Sequence, residues 1–183
     1  MDLDAKEVER IVLAVLQALG SPAGLTAPPG KGRVAPGVFA ELDDAVAAAK
    51  LAQKSLRNLA LRGSVIEAIR AVGEAHAREL AEMAVAETGM GRVDDKILKN
   101  VSQSRKTPGI DCIRASVLTG DRGLTLLENA AWGVIASVTP STNPACTIIN
   151  NSISMIAAGN AVVFAPHPAA RQVSQRAVSL INE

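Results

Sequence analysis

Two short apolar segments separated by a helical pattern dominate the last third of the chain. Residues 132–139 (WGVIASVT) are apolar and β-branched with little alternation, which predicts a strand buried on both faces. Residues 161–165 (AVVFA) predict a second strand, and Gly159 with Asn160 predicts the end of the helix before it. Parallel strands joined by a helix form a βαβ unit, so the predicted fold class is α/β. The buried face of the helix is expected to carry Ile148, Ser152, Met155 and Ile156.

The loops that follow these two strands are the expected binding site, since ligands of parallel sheets bind at the carboxyl ends of the strands. Pro144 suits the first helical position, so Asn143 before it is predicted to be the helix N-cap. His167 is the only titratable side chain at the end of the second strand. The candidate nucleotide-binding residues are Thr139, Pro140, Ser141, Ala165, Pro166 and His167.

The sequence between residues 38 and 131 predicts helices and then strands. A break in the second helix is expected near Gly73 and His76, and His76 is interpreted as a surface residue and not a ligand. Segments 124–128 and 132–138 flank a predicted turn at Asn129-Ala130-Ala131 and are expected to form an extended hairpin. Helices are expected over residues 43–56, 59–87, 94–105 and 169–182.

The N-terminal 37 residues have a different organisation. Residues 1–19 predict an amphipathic helix, and residues 20–37, of which nine are Gly or Pro, predict a flexible linker to a domain of residues 38–183. A short helix isolated by such a linker is marginal in water and needs a partner surface. It is expected to dock on another protein. Folding back onto its own domain and disorder are the alternatives. The apolar stripe consists of Val8, Ile11, Val12, Val15, Leu16 and Leu19.

Composition narrows the classes of function. Nineteen basic and eighteen acidic residues give a net charge of +1, and aromatic residues make up only 2%, so no nucleic-acid partner is expected. The acidic N-terminus lacks the positive charge of a signal peptide, and no apolar run approaches a membrane span. Cys112 and Cys146 are expected to be free thiols, and no metal-ligand spacing is found. A cytoplasmic protein without a membrane partner is expected.

Several motifs resemble a known family. The runs TPSTNP, INNSISMIAAGN and FAPHP, with AETGMGRVDDK and LTGDRGLTLLENAAWGV upstream, resemble the CoA-acylating aldehyde dehydrogenases of bacterial microcompartments, of the ethanolamine- and propanediol-utilisation type. The resemblance covers residues 38–183. It implies an aldehyde-dehydrogenase-like fold, with N-terminal helices and the first βαβ unit of a Rossmann-like NAD-binding domain. It also implies a short aliphatic aldehyde as substrate, NAD and coenzyme A, a homo-oligomer, and an N-terminal helix that directs the enzyme into a microcompartment shell.

The resemblance also assigns roles to residues. The family's nucleophilic cysteine lies far beyond residue 183, so the chain alone is expected to be inactive, and Cys146 is not expected to be a nucleophile. The family's oxyanion donor falls at Thr142 or at Asn143, where a role as helix N-cap alone is the alternative for Asn143. His167 is expected to contact a ribose or phosphate, or to be a solvent-exposed loop residue. A non-catalytic nucleotide-binding or assembly module and a hydrolytic aldehyde dehydrogenase are the alternative functions.

Overall fold

The computed structural model describes residues 32–183. The predicted helix of residues 1–19 and most of the predicted linker therefore lie outside the described residues. The last part of that linker forms a short hairpin, in which strand β1 (Arg33–Ala35) pairs with β2 (Val38–Phe39). Gly37, with φ +66°, makes the turn, and a Cβ there would lie 2.5 Å from Nδ2 of Asn182 near the C-terminus. The hairpin thus packs against the end of the chain instead of acting as a spacer.

Four helices follow the hairpin: α1 (Leu42–Ser55), α2 (Leu59–Ala75), α3 (Ala77–Thr88) and α4 (Val93–Lys106). The expected break is confirmed at His76, whereas Gly73 lies inside α2. A Cβ at Gly73 would overlap the Ser104 side chain, so the glycine permits close approach of α2 and α4. Gly89, with φ +67°, ends α3 in the left-handed conformation that glycine favours.

The hairpin predicted across residues 129–131 is wrong. Strands β3 (Ser116–Gly120) and β4 (Gly123–Leu127) pair with each other instead, and Asp121 and Arg122 form a two-residue loop. Two-residue connections are the commonest hairpin loops. Every residue of both strands is exposed in this chain.

The predicted βαβ unit is confirmed. Strand β5 (Val134–Thr139), helix α5 (Pro144–Ala157) and strand β6 (Ala161–Pro166) follow one another, and the strands pair in parallel from Val134 opposite Ala161 to Thr139 opposite Pro166. A short 3-10 turn (Pro168–Ala170) leads to the last helix, α6 (Arg171–Asn182). No helix within residues 32–183 is long and apolar enough to cross a membrane.

Strand β5 differs from the prediction in its burial. Ser137 and Thr139 are buried, whereas Val138 is 82% exposed. Helix α5 packs on the Ser137 side, where Asn151 Nδ2 donates a hydrogen bond of 2.9 Å to Ser137 Oγ. The prediction of burial on both faces is therefore wrong for the described residues, because they cover only one face of the strand.

The hydrophobic core lies around α5, between α2, α3 and α6. On α5, Ile148 and Ser152 are buried as expected, but Met155 and Ile156 are only half-buried. Ile149 and Ile153 are buried instead, because other helices pack against α5 on more than one side. Each fully buried aliphatic side chain contributes about 1.5–3 kcal/mol. The largest fully buried apolar side chains are those of Ile66, Ile69, Leu80, Ile148, Ile149, Ile153 and Val173.

Side chains from the early helices bind backbone groups at the C-terminal end of α5 and at the start of α6. At the C-terminal end of α5, Arg62 Nη1 donates to the Ala157 carbonyl at 2.8 Å and Gln53 Nε2 donates to the Gly159 carbonyl at 3.0 Å. At the start of α6, the carboxylate of Glu87 accepts from the backbone N–H groups of residues 172 and 173, each at 2.8 Å. Helix ends leave such groups without partners inside the helix, so these contacts tie α1 and α2 to the end of α5, and α3 to α6.

Candidate active site

The carboxyl ends of β5 and β6 lie side by side, as the sequence predicts. Thr139 is opposite Pro166 in the parallel register, and the backbone N–H of His167 donates to the Thr139 carbonyl at 3.0 Å. The Thr139 side chain is buried, and its Oγ1 has no hydrogen-bond partner within residues 32–183. Pro140 and Ala165 are exposed, and Ser141 is half-buried. The structure thus brings the predicted nucleotide-binding residues to one edge of the sheet.

His167 is exposed at the end of β6. Its Nδ1 accepts a hydrogen bond of 3.1 Å from the backbone N–H of Ala169, so the side chain caps the 3-10 turn. This contact uses Nδ1 as an acceptor and leaves the Nε2 nitrogen for another partner.

Two lysines from α4 hold the loop between β5 and α5. Lys96 is only 8% exposed, and its Nζ donates to the backbone carbonyl of Thr142 at 2.8 Å. Burial, reinforced by the charge of Lys99, lowers the pKa of Lys96, while Cys146 opposes this shift. Lys99 is exposed, and its Nζ donates to Asn143 Oδ1 at 3.1 Å. The sequence pattern predicts only an amphipathic helix for the segment that contains both residues.

Asn143 occupies the N-cap position of α5, but its side chain accepts no hydrogen bond from the first turn of the helix. The prediction of a side-chain cap is therefore wrong: the Asn143 backbone (φ −139°, ψ 56°) is not in the extended conformation typical of such caps, and Oδ1 accepts from Lys99 instead. The amide nitrogen, Nδ2, donates to Oγ1 of the exposed residue Thr142 at 3.3 Å. One of its two N–H groups has no partner within the described part of the chain, because no other Nδ2 contact is present there.

Cys146 lies in the first turn of α5, partly buried. Its Sγ is 3.6 Å from the backbone carbonyl of Asn143, to which the thiol donates. Burial raises the pKa of this thiol, although the positive charges of Lys99 and Lys96 oppose that shift. A thiol with a raised pKa is a poor nucleophile at neutral pH.

An open cleft of about 420 Å³ lies beside this loop, between α4 and α5. Its lining contains amides, a hydroxyl, a thiol and one ammonium group, without a carboxylate or an aromatic ring. Asn150 crosses from α5 to α4, where its Nδ2 donates to Gln103 Oε1 at 2.9 Å and to Thr107 Oγ1 at 3.0 Å. The lining residues are Lys99, Gln103, Asn143, Cys146, Thr147 and Asn150.

Sequence reasoning missed the contribution of α4 to this site. The signal was present in the helix itself, because its buried positions are Lys96, Asn100 and Ser104, spaced by four and all polar. Buried polar side chains need hydrogen-bond partners. A helix whose inward face is polar is therefore expected to contact backbone or other polar groups.

Comparison with known proteins places the chain in a family. Residues 31–183 match the model described as the aldehyde dehydrogenase family. The chain belongs to the aldehyde dehydrogenase family. Among curated relatives it is 61% identical, over 181 residues, to the acetylating acetaldehyde dehydrogenase EutE of Salmonella typhimurium. That alignment covers 99% of this chain and 38% of the relative, so the chain spans well under half the length of the curated relatives that it matches.

Solved structures of this family agree with the described fold. One is a propionaldehyde dehydrogenase from the Clostridium phytofermentans fucose utilisation bacterial microcompartment, with a TM-score of 0.78 and 51% identity over 80% of this chain and 34% of that chain. Another is a Rhodopseudomonas palustris propionaldehyde dehydrogenase with bound CoA and an acylated cysteine. It has a TM-score of 0.78 and 47% identity over 81% of this chain and 35% of that chain. The aldehyde-dehydrogenase-like fold and the resemblance to acylating enzymes of microcompartments are therefore confirmed.

Proposed function

We propose that this chain forms the N-terminal part of a CoA-acylating aldehyde dehydrogenase. The enzyme converts a short aliphatic aldehyde, acetaldehyde or propionaldehyde, with NAD and coenzyme A to acyl-CoA and NADH. The observation that carries the proposal is the 61% identity to an acetylating acetaldehyde dehydrogenase, which extends over nearly the whole chain. The βαβ unit, with both strand ends at one edge, supports a nucleotide-binding role.

The strand ends are proposed to hold the nucleotide. Thr139, Pro140 and Ser141 follow β5, whereas Ala165, Pro166 and His167 follow β6. The His167 side chain has Nε2 left for a ribose hydroxyl or a phosphate, because Nδ1 accepts from Ala169. When bound, NAD accepts a hydride and coenzyme A accepts the acyl group.

Asn143 is proposed to be the oxyanion donor, in preference to Thr142. Addition of a thiolate to an aldehyde carbonyl places negative charge on the carbonyl oxygen, and an N–H group aimed at that oxygen stabilises it. Asn143 lines the cleft and has one Nδ2 N–H group without a partner in the described part of the chain, whereas Thr142 is not among the residues that line the cleft. Loss of such a donor typically lowers kcat about 100- to 1000-fold.

The test uses a joined enzyme, in which residues 1–183 are followed by the remaining part of the Salmonella typhimurium relative. NADH formation from acetaldehyde or propionaldehyde is expected only when coenzyme A is present, and acyl-CoA is the expected product. The 183-residue chain alone is expected to give no NADH. Formation of a free carboxylic acid without coenzyme A would instead identify a hydrolytic enzyme. A folded joined enzyme without turnover would favour a nucleotide-binding or assembly module.

Residues 1–19 are proposed to direct the enzyme into a microcompartment in the cytoplasm, by placing their apolar stripe on a shell or core protein. The support is the pattern of that segment, with its Gly/Pro-rich linker, and the similarity to microcompartment enzymes. A fluorescent reporter fused to residues 1–19 is expected to enter a co-expressed shell. The same fusion with Ile11→Glu and Leu16→Glu is expected to stay diffuse. A diffuse unmodified fusion would contradict targeting.

A homo-oligomer is proposed as well, with the β3–β4 hairpin among its contacts. The hairpin exposes several leucines, including Leu118 and Leu124. Exposed apolar patches of this kind mark interaction surfaces. Light scattering of the joined enzyme is expected to give a multiple of the single-chain mass, and Leu118→Lys with Leu124→Lys is expected to reduce it. A single-chain mass for the unmodified enzyme would exclude the oligomer.

A further inference from the structure

The two lysines of α4 contact two successive residues of the loop between β5 and α5. Lys96 and Lys99 are three positions apart, so they lie on one face of the helix. The buried Lys96 holds the Thr142 carbonyl at 2.8 Å, and Lys99 holds Asn143 Oδ1 at 3.1 Å. The first contact fixes the backbone of the loop and the second fixes a side chain on it.

Within residues 32–183, the Lys99 ammonium group donates to no acceptor other than Asn143 Oδ1. No carboxylate within residues 32–183 lies within salt-bridge distance of Lys99, although Asp95 on the same helix is near enough to feel its charge. Lys99 also lines the cleft together with Asn143. Lys99 is an exposed residue, so its contact with Asn143 is not needed to satisfy a buried charge.

We propose that Lys99 is a positioning residue for the oxyanion donor: its ammonium group holds Asn143 Oδ1, which fixes the amide with its Nδ2–H group available to the cleft. This inference rests on the oxyanion role proposed for Asn143. A free asparagine amide can turn by 180° and present its oxygen, which would repel an oxyanion. A cation on Oδ1 excludes that orientation and also polarises the amide, which strengthens the Nδ2–H donor. A donor that is fixed before the reaction stabilises the transition state without reorganisation.

The contact itself is tested in the 183-residue chain labelled with ¹⁵N. The side-chain amide signals of Asn143 are identified by their loss in Asn143→Ala. Lys99→Met is expected to shift these signals, whereas Lys106→Met, a matched change at an exposed lysine of the same helix, is expected to leave them in place. Signals that do not move in Lys99→Met would overturn the inference, whatever the activity of the enzyme.

The catalytic consequence is tested in the joined enzyme. Lys99→Met is expected to lower kcat roughly 10- to 100-fold, the scale of a misplaced catalytic group, with little change in the KM for aldehyde. Lys99→Arg is expected to restore most of the rate because it keeps the positive charge. Lys106→Met is expected to have normal kinetics. The melting temperature of Lys99→Met is expected to be unchanged, because the side chain is exposed.

Double substitution shows whether Lys99 acts through Asn143. The Lys99→Met, Asn143→Ala enzyme is expected to be no slower than Asn143→Ala alone. An equal loss from Lys99→Met in both backgrounds would overturn the inference, because Lys99 would then act on another group. A fully active Lys99→Met beside an impaired Asn143→Ala would overturn it too, and the oxyanion role of Asn143 would stand. A fully active Asn143→Ala would refute that role and the inference together.

Discussion

Removal of the Glu87 carboxylate is expected to destabilise helix α6, although Glu87 precedes Gln172 by 85 residues. Glu87 Oε1 accepts from the Gln172 N–H and Oε2 from the Val173 N–H, both at 2.8 Å. Ala170, at the N-cap position of α6, has no side chain that could accept these bonds. Glu87 therefore acts as the cap of a helix to which it does not belong.

The magnitude follows from the two bonds and the charge. Loss of an N-cap costs about 0.5–2 kcal/mol, and a negative charge at a helix N-terminus adds about 0.3–1 kcal/mol. Glu87→Ala, which removes both, is expected to lower the free energy of unfolding by about 2 kcal/mol. Glu87→Gln keeps one acceptor and loses the charge, so about 1 kcal/mol is expected. For a chain of this length these values correspond to about 4–8 °C and about 2–4 °C in Tm.

The assay is urea and thermal unfolding of the 183-residue chain, followed by far-ultraviolet circular dichroism. Glu82→Ala is the matched control on the same helix, because among residues 32–183 its carboxylate pairs only with Arg78, at 3.5 Å on the surface. Such an exposed pair contributes at most about 1 kcal/mol, and the change in helix propensity is the same at both positions. If Glu87→Ala is no more destabilising than Glu82→Ala, Glu87 does not cap α6.

Two further predictions concern titratable groups. Because burial raises the pKa of Cys146, its alkylation at neutral pH is expected to be slower than that of the exposed Cys112, as measured by mass spectrometry; equal rates would contradict the raised pKa. The hydrogen bond from Arg176 is the main cause that lowers the pKa of Glu79 below 4.5. The ionised Glu79 carboxylate therefore stabilises the folded state above pH 4.5, and this stabilisation is lost as the pH falls through the lowered pKa of the folded state. Arg176→Met is therefore expected to flatten the dependence of unfolding free energy on pH in this acidic range, and an unchanged dependence would show that the pair makes no contribution.

Local sequence patterns were sufficient to predict the βαβ unit. The apolar runs and the Gly159-Asn160 stop predicted the βαβ unit, because strand and helix periods differ and glycine ends helices. Which strands pair with each other was harder to predict from the sequence. The segment 129–131 has the composition of a turn, but the strands that pair are those joined by Asp121 and Arg122. The choice between two such turns depends on where β5 finds a partner, which is β6 and not β4.

The residues of the candidate site at the strand ends could be predicted from the sequence. The contacts that residues far away in the sequence make with the site could not. Thr139 and His167 come together because parallel strands end at one edge, which is a rule of topology. Lys99 reaches Asn143 across 44 residues of sequence, and no local pattern relates the two. The same applies to the side chain of Asn143, which has the residue type and the position of a helix cap but accepts from Lys99 and not from the first turn of α5.

The contacts of Gln53 and Arg62 with the end of α5 have a consequence for protein engineering. Nucleotide-binding βαβ units are natural candidates for transfer between proteins as small independent modules. In this chain Arg62 of α2 donates to the Ala157 carbonyl at the end of α5, and Gln53 of α1 donates to the Gly159 carbonyl just beyond it, across 95 and 106 residues of sequence. A transplanted segment of residues 132–183 would expose those carbonyls and the apolar faces of α5 and α6. The smallest transferable unit therefore begins with α1.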